Sequence, residues 1–329
     1  MSISAFKDRF LSKRKLLHSW KHLCWNVKGL AHDFWKDGDG KKYEGGEERV
    51  KKEDAKKTAS ANVAVPAAAE APRKPKENRW HAMPGEVSEK MWGEGYVTPG
   101  DIEVTNRLIR PLGINKDMSL LDLSAGLGGR LRKTTDDYGV YINGLEPDPE
   151  IARRGMEMSK AAGRAKRVVI TAYDPLKLTA DRLYDCIIAR ETIYRVTEKE
   201  KFIKSIVACC KPKAQVSFTD YIVDPEMRDK PAIVAWRAFE KGADPLGLVQ
   251  MAEIWAKAGF NLRVHDDMSD FYKKEVMAGL ARFAKFMASG GPKPDDETKK
   301  AIDKRITTWA HRMAAMEQGM KLYRFYGLR

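Results

Sequence analysis

The sequence predicts an α/β domain built on a mostly parallel sheet with helices on both faces, preceded by a helical segment and a tether. Three observations carry that prediction. From about Trp80 onward, short β-branched or apolar runs alternate with helical stretches. A glycine-rich turn follows the first of those runs, and acidic residues close the next two. The chain before Trp80 has a different texture altogether.

The first strand is expected over Ser119 to Leu123. Four more follow, at Val140 to Leu145, Val168 to Thr171, Tyr184 to Ala189 and Gln215 to Thr219. Strands separated by helices imply parallel pairing, because each crossover needs a helix to return the chain to the same edge. Such a sheet binds ligands beyond the carboxyl ends of its strands, so the residues just after each run are the place to look for chemistry.

The two segments ahead of this domain read differently. Over 1–36, Phe6, Phe10, Leu17, Trp20, Cys24 and Val27 recur at helical spacing, widened by Leu16, Leu23 and Leu30. Eight basic residues face only Asp8 and Asp33 there, and Trp20, Trp25 and Trp35 add interfacial aromatics. A basic amphipathic helix of this kind fits an anionic membrane surface, and equally fits docking on the protein's own body or a partner. Residues 37–79 are rich in Gly, Lys and Glu and then in Ala and Pro, with few large apolar groups, which is the composition of a flexible linker. The expected organisation is thus a helical segment over 1–36, a linker over 37–79 and a globular domain over 80–329.

Length and composition bound the function. The 329 residues suffice for one large domain or two, and 43% hydrophobic content allows a sizeable core. The 60 Lys and Arg against 46 Asp and Glu give a net charge of +14. That charge permits a phosphate-bearing partner, but no nucleic-acid-binding motif accompanies it, and no [DNS]PP[YFW]-type sequence for flipped bases is present. The longest apolar runs fall far short of the ~20 residues a membrane-spanning helix needs. Cys24, Cys186, Cys209 and Cys210 have no CxxC spacing, so neither a metal site nor a disulfide framework is indicated. A reducing compartment suits them, and with no apolar signal-peptide core the chain reads as cytoplasmic.

The site is read from three strand ends. SLLDLS runs into Ala125-Gly126-Leu127-Gly128-Gly129, where glycines let backbone approach a ligand and a helix N-terminus offers free N–H groups. Alone, that turn suits a dinucleotide enzyme, a methyltransferase or a plain tight turn. YINGLEPD ends in Glu146, about twenty residues on, where a carboxylate can accept both hydroxyls of a ribose. VVITAYDP ends in Asp174, suited to an exocyclic adenine amine, with Tyr173 or a neighbour packing on the ring. The plainer readings are a turn-former before Pro175 for Asp174 and a surface acid before Pro147 for Glu146. A dehydrogenase leaves Asp174 without a role, and no G-x-S-x-G elbow supports a hydrolase.

LDLSAGLGG, GLEPD, AYDP and YDCIIARETI together resemble class I methyltransferases that use S-adenosylmethionine. MWGEGYVTPGDIEVTNRLI, RETIYRV, FTDYIVD and DMSDFY extend the likeness to the phosphoethanolamine N-methyltransferase family over roughly 88–329. The resemblance implies a Rossmann-like sheet of seven strands. It also implies that Asp122, Gly126 and Gly128 line the methionine and ribose side, with Glu146 at the ribose diol and Asp174 at the adenine. Ser124 stands where the family has its first glycine, and Arg190 of RETI is grouped with the cofactor residues. On the acceptor side, Tyr96 matches a tyrosine that pairs in the family with a histidine, and here that histidine position is Arg195. An arginine stays protonated at neutral pH and cannot act as an ordinary general base. Glu191 matches an aspartate near the acceptor amine, and Tyr221 a tyrosine on the phosphate side. The family's lysine-rich clamp is replaced by Ala314, Ala315, Met316, Glu317 and Gln318. His311, Arg312 and Lys321 remain as candidate anion partners, against the plainer reading of Arg312 as a solvated helix face and His311 as a surface residue. Met313, Met316 and Met320 read as core.

The function implied is methyl transfer to a small amine or a phospholipid-type head group, without a metal. The alternative is a cofactor-binding but catalytically silent member acting as scaffold or regulator, which the Arg195 replacement favours.

Overall fold

The computed structural model describes residues 80–329, apart from 82, 180–181 and 290–292. The helical segment expected over 1–36 and the linker expected over 37–79 lie outside the described residues.

Seven strands form one sheet: β1 Ser119–Asp122, β2 Tyr141–Glu146, β3 Val168–Ala172, β4 Tyr184–Arg190, β5 Cys210–Ile222, β6 Asn261–Asp267 and β7 Lys321–Leu328. Their spatial order is β3-β2-β1-β4-β5-β7-β6. β1 to β5 run parallel, and β7 is inserted antiparallel between β5 and β6. The five strands expected from apolar runs are present; β1, β2, β3 and β4 keep their expected bounds to within a residue, while β5 extends further at both ends. β6 carries no comparable run because its side chains alternate between exposed and half-buried at the sheet edge.

Nine α-helices are described: α1 Glu86–Trp92, α2 Asp101–Ile109, α3 Gly129–Tyr138, α4 Pro149–Ala161, α5 Lys199–Ala208, α6 Pro231–Phe239, α7 Leu248–Lys257, α8 Ser269–Ala288 and α9 Asp296–Glu317. The two-residue period of the strands sorts the core into two layers. Leu120, Ile142, Ile170, Cys186 and Ile188 face one side, where Val104, Leu108, Leu131 and Ala152 of α2, α3 and α4 cover them. Leu121, Ile187, Ala189, Val216 and Phe218 face the other, against Phe202, Ile203 and Ile206 of α5 and Met251 and Trp255 of α7. Burial on both faces explains why these strands read as continuous apolar runs rather than as an alternation.

The strand order reverses between β1 and β4, with β2 and β4 pairing on opposite edges of the four-residue β1. That switch point opens a crevice beyond the strand tips. The remaining helices wall it in. α1 packs on α8 and α9, with the Trp92 and Trp309 rings edge to face at 5.2 Å between centroids. Gly279 on α8 lets that indole in: a Cβ there would lie 2.0 Å from Trp92 Cζ3. α6 lies against α9, where Phe239 stacks on His311 at 4.5 Å.

Candidate active site

The glycine turn is shaped from both sides. Gly126 (φ 56°) and Gly128 (φ 78°) adopt the left-handed conformation that costs other residues about a kcal/mol or more. A Cβ on Gly128 would also sit 2.5 Å from Ile170 Cδ1, so only glycine brings the start of α3 this close to β3. Beneath the turn, Asp122 is 1% exposed and held by Arg130 at two points, Nε to Oδ2 at 2.7 Å and Nη2 to Oδ1 at 2.8 Å. Paired this way, Asp122 is the turn's buried counter-ion. Ser124 is part of the same network: its backbone N–H and Oγ–H donate to Asp122 Oδ1, and its Oγ accepts the Arg190 backbone N–H at 2.8 Å. A hydroxyl in place of the family's glycine thus ties the tip of β1 to that of β4.

At the tip of β2, Glu146 Oε2 accepts the Gly126 N–H at 2.8 Å and Oε1 accepts the Asp148 N–H at 3.1 Å. The first two strand tips therefore meet directly. Burial pushes the Glu146 pKa above the usual carboxylate value, and the two backbone donors partly offset it. Tyr173, at the tip of β3, donates its backbone N–H to the Glu146 carbonyl at 3.2 Å and its hydroxyl to the Leu123 carbonyl at 2.9 Å. Its ring packs against the core layer that includes Leu123, and burial raises its pKa. Asp174 is 49% exposed and caps the turn over Pro175–Lys177, accepting the Leu176 N–H at 3.0 Å through Oδ1. It is thus a turn-former with its second oxygen at the surface, within 3.8 Å of Lys177 Nζ.

The segment Gly93–Gly100 closes over the glycine turn. Gly129 donates its N–H to the Gly95 carbonyl at 3.0 Å, and Val97 lies against Gly126, where an added Cβ would approach Cγ2 to 2.7 Å. Glu89 anchors the segment from α1: it accepts the Gly95 N–H at 2.7 Å and is paired with Arg154 of α4. Arg190 holds the far end, donating from Nη2 to the Pro99 carbonyl at 2.6 Å. Tyr96 sits within this cover, its ring edge beside Gly129. It therefore borders the glycine turn.

Arg190 is 3% exposed, and its Nε and Nη1 are buried without a hydrogen-bond partner. Burial lowers its pKa, and Nη2 approaches Glu191 Oε1 only to 4.0 Å. Two orphaned guanidinium donors next to the glycine turn are the donor set an anionic group would satisfy.

The residues expected on the acceptor side form a closed ionic network. Glu191, at the tip of β4, has φ 51°, a strained conformation for a side chain of its kind, fixed by its N–H donating to the Thr219 carbonyl at 2.7 Å. Its carboxylate accepts from Tyr221 Oη at 3.1 Å, from Tyr272 Oη and from Arg312 Nη1 at 3.1 Å. Arg312 is the hub. It also binds Glu240 bidentately, Nε to Oε1 at 2.5 Å and Nη2 to Oε2 at 2.8 Å, and donates to Tyr194 Oη at 2.8 Å. The reading of Arg312 as a solvated helix face is corrected: it is 3% exposed, because its face of α9 points at the strand tips. Burial alone would raise the Glu240 pKa, but Arg312 and Arg195 outweigh it and hold it down to about 2. Arg195 extends outward from this cluster, donating from Nε to Tyr194 Oη at 2.6 Å with Nη2 3.7 Å from Glu240. Met313, Met316 and Met320 are buried, as their spacing suggests.

Beyond Tyr194 and Arg195 a cavity of about 760 Å³ opens between α1, the end of α6 and α9. Arg130, Tyr194, Glu240 and Tyr272 were not singled out in the sequence. Tyr272 lay in the DMSDFY piece and Tyr194 in RETIYRV, but only the fold shows that both hydroxyls turn toward Glu191 and Arg312. Among the described residues no cluster of His, Cys, Asp and Glu could hold a metal ion.

Residues 102–265 match the family model described as "Methyltransferase domain". A phosphoethanolamine N-methyltransferase of Triticum aestivum is 26% identical over 245 residues, which is 71% of this chain and 46% of that protein. The phosphoethanolamine N-methyltransferase of Plasmodium falciparum (isolate 3D7) is 24% identical over 208 residues, 60% of this chain and 74% of its own. The solved structure of Haemonchus contortus phosphoethanolamine N-methyltransferase 2 with S-adenosyl-L-methionine superposes with a TM-score of 0.65 at 17% identity, covering 74% of this chain and 56% of that one. This chain spans less than half the length of the wheat relative. With the matched region running from α2 into β6 and the strand order on the page, residues 102–265 carry a methyltransferase domain and the described residues have the class I methyltransferase fold.

Proposed function

We propose that the chain is an S-adenosylmethionine-dependent methyltransferase that N-methylates a small amine or a phospholipid-type head group. The observation that carries this reading is the joining of the strand tips: the Gly126 N–H meets the Glu146 carboxylate at 2.8 Å, with two unpartnered buried donors of Arg190 near by. Those groups fit the cofactor's parts. Glu146 would accept the ribose hydroxyls, the surface oxygen of Asp174 the adenine amine, and Arg190 Nε and Nη1 would bind the carboxylate. Gly126 and Gly128 would let the backbone approach, while Tyr96 and Val97 close the cover and exclude water.

S-adenosylmethionine, when bound, supplies a methyl carbon already activated as a sulfonium, so the protein's task is alignment of a lone pair and removal of a proton. Tyr221 and Tyr272 each donate to Glu191, which leaves their oxygen lone pairs as acceptors for an amine N–H. Arg195 cannot take the amine proton, and its exposed side chain suits an anion or a gate. Methyl transfer across an amine panel, followed by S-adenosylhomocysteine release, tests the reading. Turnover with at least one amine is expected, and none with any amine would reject it.

One observation favours a second reading, the silent scaffold or regulator: Glu191 is neutralised by Arg312 and saturated by two tyrosines. Cofactor binding in calorimetry without turnover on any amine would select it.

Cytoplasmic residence with peripheral contact to an anionic membrane is proposed from the composition of 1–36. Among the described residues no helix is long and apolar enough to cross a membrane. Flotation with anionic liposomes should recover the full chain and lose it on deletion of 1–36; equal recovery in the soluble fraction would remove the membrane contact.

A further inference from the structure

Asp220 is a buried acid that neither the glycine turn nor the ionic network around Arg312 uses. It lies near the end of β5 and is 0% exposed. Buried carboxylates are ordinarily paired with a cation. The hydrogen bonds described for Asp220 come instead from three backbone N–H groups: Ile193 at 2.6 Å, Tyr221 at 2.8 Å, and Tyr194 shared between the two oxygens at 3.2 and 3.3 Å. Two of those donors belong to another strand's tip. Arg190 ends β4 opposite Thr219, and Ile193–Arg195 then form a single 3₁₀ turn. Thr192, just before that turn, places no side-chain cap on it; its hydroxyl donates to the Arg190 carbonyl at 3.1 Å. Asp220 therefore supplies from β5 the cap that the turn's own sequence lacks.

The capped turn faces the cavity, which Tyr194 and Arg195 both line. Tyr194 Oη donates to Glu240 Oε2 at 3.0 Å and accepts from Arg195 Nε at 2.6 Å and Arg312 Nη2 at 2.8 Å, so its place sets where those three charges meet. Holding it has an electrostatic cost. Burial raises the Asp220 pKa, the three N–H groups pull it back, and the Glu191 charge raises it again, leaving it at about 7. The cations of the surrounding elements are engaged elsewhere. Arg312 of α9 is taken up by Glu191 and Glu240, and Arg324 of β7, opposite Thr219, by Asp266. The phenols of Tyr194, Tyr221 and Tyr272 are kept neutral by burial, and Tyr323 lies opposite Asp220 on β7.

We propose that Asp220 is a positioning residue: its carboxylate fixes the turn Ile193–Arg195, and through it Tyr194 and Arg195 in the cavity wall, at a net cost to the stability of the fold. This rests on the reading of that cavity as the acceptor side of the transferase. A neutral oxygen acceptor would cap the turn without burying a charge. Only the carboxylate binds all three N–H groups by charge-assisted bonds, which holds the turn more rigidly.

Two measurements on the full chain need neither methyl donor nor acceptor. Amide hydrogen exchange, followed by mass spectrometry, should show the segment 192–196 exchanging about ten-fold faster or more in Asp220→Asn, with the segment 126–131 unchanged. Urea unfolding across pH is the second, and the raised pKa fixes its sign. The ionised form is disfavoured in the folded state, so the parent loses stability relative to Asp220→Asn as pH rises from about 4 through about 7. The difference in urea midpoint should move in the variant's favour over that range. A cap that merely stabilises the fold gives the opposite sign. Parent-like exchange of 192–196 in Asp220→Asn, a midpoint difference that is flat or moves toward the parent, or failure of Asp220→Asn to fold would overturn the proposal. With any amine that is methylated, Asp220→Asn should lower kcat and leave S-adenosylmethionine affinity as in the parent; an equal fall in that affinity would also overturn it. Absence of turnover in the parent counts against the transferase reading alone, since exchange and unfolding still decide the role of Asp220.

Discussion

Glu146 shows how much one carboxylate is asked to do at the residue scale. It holds the Gly126 and Asp148 N–H groups in place and still has lone pairs for a ribose. Replacing it with alanine should weaken S-adenosylmethionine binding by about 1–3 kcal/mol through lost charge-assisted hydrogen bonds. Calorimetry checks this, and unchanged affinity would show that the ribose lies elsewhere. Tyr96 is a different case, because its ring borders Gly129 of the glycine turn. Tyr96→Phe keeps that packing and removes only the hydroxyl, so it should lower turnover more than cofactor affinity; if both fall together, Tyr96 acts by packing alone. Asp174 was the least informative residue to read from sequence. A carboxylate before proline caps a turn whether or not a ligand is near, and the structure has it doing so.

At the scale of the element, the cover Gly93–Gly100 and the glycine turn form one unit. Gly126 needs its positive φ and also needs Val97 to sit where a Cβ would be. Gly126→Ala should therefore destabilise the fold by about 1–3 kcal/mol in urea unfolding and weaken cofactor binding. Adding Val97→Ala should recover the steric part but not the backbone part; full recovery would mean that the φ carries no strain. The strands were legible for a plain reason: burial on both faces leaves unbroken apolar runs. β6 was not, because at the sheet edge its register comes from pairing with β7 rather than from a buried face. The glycine turn was legible because its glycines and acids are local in sequence. The Glu191–Arg312–Glu240 network was not, since Arg312 lies 121 residues from Glu191 and its pairing depends on how α9 returns to the sheet.

That network ties the whole molecule together, joining β4, β5, α6, α8 and α9 through Glu191, Tyr221, Glu240, Tyr272 and Arg312. Glu240→Gln leaves a buried arginine short of a counter-ion and should cost about 3–5 kcal/mol, read as a lowered urea midpoint. The pH dependence has a definite sign. Because the folded state holds the Glu240 pKa down to about 2, its stabilisation is present above the ordinary carboxylate value and is lost as pH falls from about 4.5 toward 2. On the order of 3 kcal/mol is at stake over that window. The parent should lose more stability than Glu240→Gln between pH 5 and pH 3; parallel losses would show that the pair contributes nothing to acid sensitivity.

The most direct measurement is a calorimetric titration of the full chain with S-adenosylhomocysteine, run beside Glu146→Ala and Arg190→Gln. One saturable site in the parent, weakened in both variants while each stays folded, is the result expected if the tips of β1, β2 and β4 bind one adenosyl ligand. Absence of binding in the parent, or equal affinity in all three proteins, would contradict it.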